Sequence, residues 1–123
     1  MKTLTEMIME SGTPWDNPFQ GEDKKIVFVC SAGLLRSATA ARIYAKKYNT
    51  RAAGSMSYAL IPLSNDLIVW ADEIVFVNKE NYNYVKDDID FEHKVIKVLN
   101  IPDQYPHMHP TLIQCFEDQY EKI

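Results

Sequence analysis

The apolar run Ile26-Val27-Phe28-Val29 stops at Cys30 and passes through Ser31-Ala32-Gly33-Leu34-Leu35 to Arg36, Ser37 and a stretch with helical spacing. A chain that goes from strand to helix in so few residues must turn sharply, and its backbone N–H groups then point inward at the start of the helix. Such a loop is a nest for a tetrahedral oxyanion, with the Cys30 sulfur at its mouth. Gly33 can take a positive φ, which lets the backbone close around the anion. Arg36 begins the helix and can return its planar fork to two oxygens of the bound group, which the point charge of a lysine does less well. Ser37 offers a hydroxyl toward the sulfur.

The remainder of the chain repeats this switch between a period of two and a period of 3.6. The spacing predicts strands over 25–30, 50–53, 73–78 and 94–99. It predicts helices over 36–48, 64–71 and 79–88, and a last one starting at Pro110, a residue suited to a first helical turn. Strands separated by helices imply an α/β fold, a three-layer sandwich whose parallel sheet is covered on both faces. Ala40, Ile43 and Tyr44, with Ala41, Ala45 and Tyr48 beside them, give the first helix a broad apolar face and leave Arg42, Lys46 and Lys47 for solvent. Asp72 is expected to support the turn before its strand. Ligands of open α/β sheets sit beyond the carboxyl ends of the strands. Cys30 ends the first strand and Asn100-Ile101-Pro102-Asp103-Gln104-Tyr105-Pro106 follows the last, so these two segments are expected to meet over one cleft.

With 123 residues, 46% of them hydrophobic, the chain suffices for one domain over 25–123 whose core needs neither disulfide nor metal. Residues 1–24 are polar and turn-rich, with Gly12, Pro14, Pro18 and Gly21, and read as an extension that Trp15 and Phe19 dock onto the domain. A net charge of −4 argues against a nucleic-acid partner. The apolar runs are too short for a membrane span, and Met1-Lys2-Thr3-Leu4-Thr5-Glu6 lacks the apolar core of a signal peptide, so a cytoplasmic protein without a membrane partner is expected. Cys115 falls on a helical stripe with Leu112, Phe116, Gln119 and Ile123, and reads as a small core residue rather than half of a disulfide. His93, His107 and His109 have no cysteine partner at zinc-ligand spacing, and neither metal nor cofactor is expected.

Hydrolysis of a phosphate monoester needs a nucleophile, donors for the phosphoryl oxygens and a proton for the leaving oxygen. A helix N-terminus, converging amides and a guanidinium favour the nucleophilic thiolate form of a cysteine, and all three are expected around Cys30. It would take the phosphoryl group covalently and pass it to water. The backbone amides of residues 31 to 36 and the Arg36 guanidinium would hold the phosphoryl oxygens, which makes Ser31, Ala32, Gly33, Leu34, Leu35, Arg36 and Ser37 the candidate phosphate loop. Asp103, restricted by Pro102 and placed after the last strand, is the candidate acid, against the plainer reading of a turn-capping aspartate.

The stretch from Cys30 to Ser37 resembles the loop of the low-molecular-weight protein tyrosine phosphatases, in which Cys, five residues and Arg are followed by Ser or Thr. Ala52-Ala53-Gly54-Ser55 resembles that family's Ser-Ala-Gly segment after the second strand, and Trp70-Ala71-Asp72-Glu73-Ile74-Val75-Phe76-Val77 is similar to the passage ahead of the third. Closer still is a small bacterial and phage-type branch of predicted tyrosine phosphatases, whose Ile-Pro-Asp-x-Tyr-x-x-Met segment Ile101-Pro102-Asp103-Gln104-Tyr105-Pro106-His107-Met108 matches. The resemblance covers about residues 25 to 120. It implies a four-stranded parallel sheet in the order 2-1-3-4, a phosphocysteine intermediate, Asp103 as acid, and phosphotyrosyl proteins or small aryl phosphates as substrates. Inorganic phosphate and other oxyanions would occupy the same loop. Tyr105 is the candidate substrate wall tied to the motif. Tyr58, Tyr82 and Tyr84 also lie around the presumed cleft, although most of the seven tyrosines are expected to serve packing and surface contacts.

The chain departs from the larger family at several positions. Ala32 and Gly33 stand where that family has Gly and then Asn, so the loop lacks the bracing Asn side chain. Leu35 replaces a second cysteine that protects the nucleophile, which exposes Cys30 to irreversible oxidation. Pro102-Asp103 reverses the family's Asp-Pro pair, and His109 stands where the closer branch has Asp.

Two other classes keep the loop but change the function. Cys30-Ser31-Ala32-Gly33-Leu34 also resembles the phosphocysteine loop of enzyme IIB proteins of sugar phosphotransfer systems, which are carriers; Arg36 and the Ile-Pro-Asp segment argue against that reading. A non-catalytic phosphate-binding module would need the loop but not Asp103. Arsenate reduction on the same fold would need a cysteine relay, for which Cys115 on its core stripe is no partner.

Overall fold

In β1 (Lys25–Cys30) the side chains alternate between two cores, Ile26, Phe28 and Cys30 facing one and Val27 and Val29 the other. A strand buried on both faces belongs at the centre of a sheet, and β1 is paired on both sides. The computed structural model describes residues 24–33, 35–56, 58–59, 61–91 and 94–121. Leu34 of the loop, His93, Ile123 and the expected docking of the extension through Trp15 and Phe19 lie outside them.

Along the chain β1 is followed by α1 (Arg36–Ile43), β2 (Asn49–Gly54), α2 (Asn65–Trp70), β3 (Glu73–Phe76), α3 (Lys79–Val85), β4 (Val95–Val98) and α4 (Pro110–Gln119). The four strands form one all-parallel sheet in the order β2-β1-β3-β4, with helices on both faces. Cys30 is level with Gly54 and Val29 with Phe76, so β1, β2 and β3 end together at one edge of the sheet.

The first helix stops at Ile43, short of the expected 48. Beyond it the chain tightens into turns, Ala45 N–H donating to Arg42 O and Lys47 N–H to Tyr44 O. These turns bring Asn49 beside Lys24, where β2 starts. β3 ends at Phe76, short of the expected 78, because Asn78 leaves the ladder to cap α3 through its side chain. His109, which the sequence leaves without a role, caps α4 by accepting the Thr111 N–H at 3.1 Å, and Pro110 follows at the first helical position.

α1 and α4 cover one face of the sheet. There Phe28 is ringed by Tyr44, Phe116 and Tyr120 at centroid distances of 5.9, 6.3 and 5.5 Å. Cys115 is half-buried against this core and both cysteines are free thiols. On the other face Ile68 of α2 and Val85 of α3 pack on Val27, Val29, Ile74 and Phe76.

The amino-terminal edge of the sheet is pinned by polar contacts. Asp72 accepts the Lys25 N–H at 3.0 Å and returns its own N–H to Lys25 O at 2.7 Å. Buried Glu73 is paired with Lys24 at 3.4 Å and Lys97 at 3.1 Å, and accepts the Tyr120 hydroxyl. A buried carboxylate is tolerable only with such partners. Burial and then Glu73 push the Tyr120 phenol far above its usual range, while burial and then Glu121 do the same at Tyr44. A cavity of about 370 Å³ opens at this edge among Lys24, Tyr44, Lys47, Tyr48, Lys97 and Tyr120. No helix among the described residues is long and apolar enough to cross a membrane.

Candidate active site

At the opposite, carboxyl edge, the Cys30 sulfur is almost fully buried, accepts the Gly33 N–H at 3.2 Å and lies 3.1 Å from Ser37 Oγ. The same Ser37 hydroxyl is 3.4 Å from Ala53 O. One rotatable hydrogen therefore serves either the carbonyl, when the sulfur is a thiol, or the sulfur itself when it is a thiolate.

Two glycines make the tight loop feasible. Gly33 has φ +79°, and a Cβ there would lie 2.9 Å from Ala53 C. At Gly54 a Cβ would meet Ala59 Cβ at 2.4 Å and Ser31 O at 2.6 Å. The chain just past Gly54 clamps the loop, since Ser55 N–H donates to Cys30 O at 2.7 Å and Met56 N–H to Ser31 O at 3.1 Å. The segment Ala52-Ala53-Gly54-Ser55 is thus the outer wall of the cysteine loop.

Arg36 is buried at the first position of α1. Its Nη1 donates to Ile101 O at 3.0 Å and its Nη2 to Ser31 Oγ at 3.3 Å. The outer nitrogens of the fork are therefore partly engaged by the protein, each retaining a second hydrogen. Nε is buried without a hydrogen bond, with Asp103 Oδ1 3.7 Å away. No side chain caps α1, so its first amides also lack a side-chain acceptor.

Asp103 itself is exposed, on a segment anchored at both ends. Ile101 is fully buried, donates its N–H to Val77 O at 3.0 Å, and lends its carbonyl to both Arg36 and Asn78 Nδ2. At the far end, Met108 adopts φ +63° and donates its N–H to Thr39 Oγ1 at 2.8 Å, while that hydroxyl donates to Leu35 O, also at 2.8 Å. His107 Nδ1 lies 3.4 Å from the same oxygen.

These elements enclose a cavity of about 80 Å³ lined by Cys30, Ser31, Ala32, Arg36 and Asp103, with Leu35 and Tyr58 exposed at its edge. The expected meeting of the cysteine loop with the Ile-Pro-Asp segment is present. Tyr105, expected as a wall, does not line the cavity; it packs half-buried against the first core and stacks on His109 at 5.4 Å. Among the described residues the aromatic one at the cavity is Tyr58, while Tyr82 packs edge-on against Phe76 and Tyr84 is exposed.

Three polar residues that sequence reasoning missed complete the surroundings. Thr39 and Asn78 hold the Asp103 segment, and buried Asn81 on α3 donates to Ser31 Oγ and Ser55 Oγ, each at 3.2 Å. Asn78 and Asn81 follow the end of β3, and that position at the carboxyl edge is the signal that points to them.

Among the described residues no group of His, Cys, Asp or Glu converges as metal ligands. The arrangement offers one small tetrahedral anion a sulfur nucleophile, an unsatisfied buried guanidinium N–H and uncapped helix amides. No family model, curated protein or solved structure matches the chain.

Proposed function

We propose that the protein is a cysteine-dependent phosphomonoesterase that hydrolyses phosphotyrosine or related aryl phosphates through a phosphocysteine intermediate. One observation carries this reading: Arg36 Nε, buried and lacking an acceptor, shares a cavity with the Cys30 sulfur and the Asp103 carboxyl. Asp103 Oδ1, 3.7 Å away, is too far to accept its hydrogen; a buried donor without a hydrogen bond is costly, and a phosphoryl oxygen is the acceptor that would relieve it.

In the first step the Cys30 thiolate attacks phosphorus and the bond to the leaving oxygen breaks, with Asp103 delivering the proton that oxygen needs. In the second, Asp103, now a carboxylate, takes a proton from water as that water attacks phosphorus. The S–P bond breaks, phosphate departs and the thiolate returns. Loop amides and Arg36 hold the phosphoryl oxygens throughout. The cavity suits a phosphate group but not an enclosed ring, so Tyr58 and Leu35 at its edge are the residues that would flank an aryl group. The substrate is accordingly a phosphotyrosyl protein or small aryl phosphate met in the cytoplasm.

The test is turnover of para-nitrophenyl phosphate, phenyl phosphate and a phosphotyrosyl peptide by wild type and two variants. Cys30→Ser is expected to abolish turnover while tungstate still binds. Asp103→Asn should slow phenyl phosphate by about 10²- to 10⁴-fold and the activated nitrophenyl ester much less. Undiminished hydrolysis by Cys30→Ser overturns the reading. Transfer of phosphate from a phosphocarrier to Cys30 without release to water would favour the carrier class instead.

A further inference from the structure

Ser31 and Tyr58 are the two hydroxyl-bearing residues at the cavity among the described residues; Tyr58 is exposed at its edge, whereas Ser31 belongs to the cysteine loop, and both hydrogen bonds at its Oγ are incoming. Arg36 Nη2 reaches it at 3.3 Å and Asn81 Nδ2 at 3.2 Å. A serine oxygen has two lone pairs and one hydrogen. With both lone pairs occupied by N–H donors, only the hydrogen remains, and no group among the described residues accepts it. Asn81 is equally constrained, because its two Nδ2 hydrogens go to Ser31 and Ser55 while its Oδ1 is buried without a partner. In this orientation the amide is a donor to Ser31 from α3, and Asn81 is not itself among the residues that line the cavity.

We infer that the Ser31 hydroxyl is a side-chain donor to the bound oxyanion, aimed into the cavity by Asn81. Ser31 is then a ligand of the phosphoryl group in its own right, beyond its backbone amide, and Asn81 is a positioning residue acting through it. A tetrahedral dianion gains most from such a donor, because hydrogen bonds to a charged acceptor are the strong ones and the hydroxyl needs no reorientation to make this one. The brace also explains how Gly33 serves at a loop position without a side chain, since Asn81 holds the loop from outside.

This inference rests on the phosphatase reading, and tungstate is a probe that separates the two. Tungstate affinity is measured by calorimetry on wild type, Ser31→Ala, Ser31→Thr, Asn81→Ala and the double alanine variant, beside para-nitrophenyl phosphate turnover. Ser31→Ala is expected to weaken tungstate binding about tenfold or more, and Ser31→Thr, which keeps the hydroxyl, to restore it. Asn81→Ala should weaken binding in the wild-type background but not in the Ser31→Ala background, since a residue acting through Ser31 has nothing left to act on. If Asn81→Ala melts too low to assay, Asn81→Leu keeps the side-chain volume and shape without charge or donor, and is expected to weaken tungstate only when Ser31 is present. Wild-type affinity in Ser31→Ala, or an equal loss from Asn81→Ala in both backgrounds, overturns the inference and leaves the phosphatase reading intact. Wild type that neither turns over aryl phosphate nor binds tungstate overturns the phosphatase reading itself.

Discussion

Gly54 contacts no substrate, yet it sets the position of the residues that would. A methyl group there would overlap both Ala59 and the Ser31 carbonyl. Gly54→Ala is therefore expected to cost roughly 1–3 kcal/mol by urea unfolding and to weaken oxyanion binding, because relieving the overlap with Ser31 O and Ala32 C moves the cysteine loop. At this scale the sequence was informative where the chemistry is local. Cys30, Gly33, Arg36 and Ser37 lie within eight residues, and their spacing alone points to a turn around an anion. Asn81 was not legible, because it reaches Ser31 across 50 positions and nothing in Lys79-Glu80-Asn81-Tyr82 distinguishes a loop brace from an exposed helical asparagine. Tyr58 and Tyr105 show the same limit: a motif drew attention to one and the fold brings the other to the cavity.

Elements were readable in kind and order, but their ends were set by neighbours. α1 stops at Ile43 because β2 must start beside Lys24, and β3 stops at Phe76 because Asn78 turns out to cap the next helix. Both limits depend on contacts that no local period carries. The segment after β4 likewise owes its conformation to α1, through the Thr39 hydroxyl. Thr39→Val keeps the side-chain shape and removes the acceptor of the Met108 N–H, an expected loss of about 1–3 kcal/mol in thermal or urea unfolding. On the proposed reading, in which Asp103 is the acid, loosening that end should also slow phenyl phosphate more than para-nitrophenyl phosphate, since only the poorer leaving group would depend on a well-placed Asp103. Equal slowing of both esters would mean that Thr39 supports the cysteine loop rather than the acid.

For the whole molecule, stability rests on two cores and one buried carboxylate. Phe116 is fully buried against Phe28, and Phe116→Ala is expected to cost about 3–5 kcal/mol in urea unfolding. Alkaline behaviour follows from Tyr44 and Tyr120, whose phenols both lie above their ordinary value of 10.0 in the fold. Below about pH 10 the folded and unfolded chains hold the same phenolic protons; above it the unfolded chain releases protons that the fold retains, so stability falls as pH rises. Melting temperatures should decline beyond pH 10, and the decline should be shallower in Tyr44→Phe and in Tyr120→Phe, although the latter starts lower because Glu73 loses a donor. The sheet order carries a kinetic consequence as well. β1 is the shared partner of β2 and β3, and the shell around its sulfur is closed by chain as distant as Ile101. Such long-range pairings form late and slowly during folding. A nascent or partly unfolded chain therefore exposes the Cys30 sulfur, and its contacts with the Gly33 N–H and the Ser37 hydroxyl are complete only when the sheet and the segments around it have assembled.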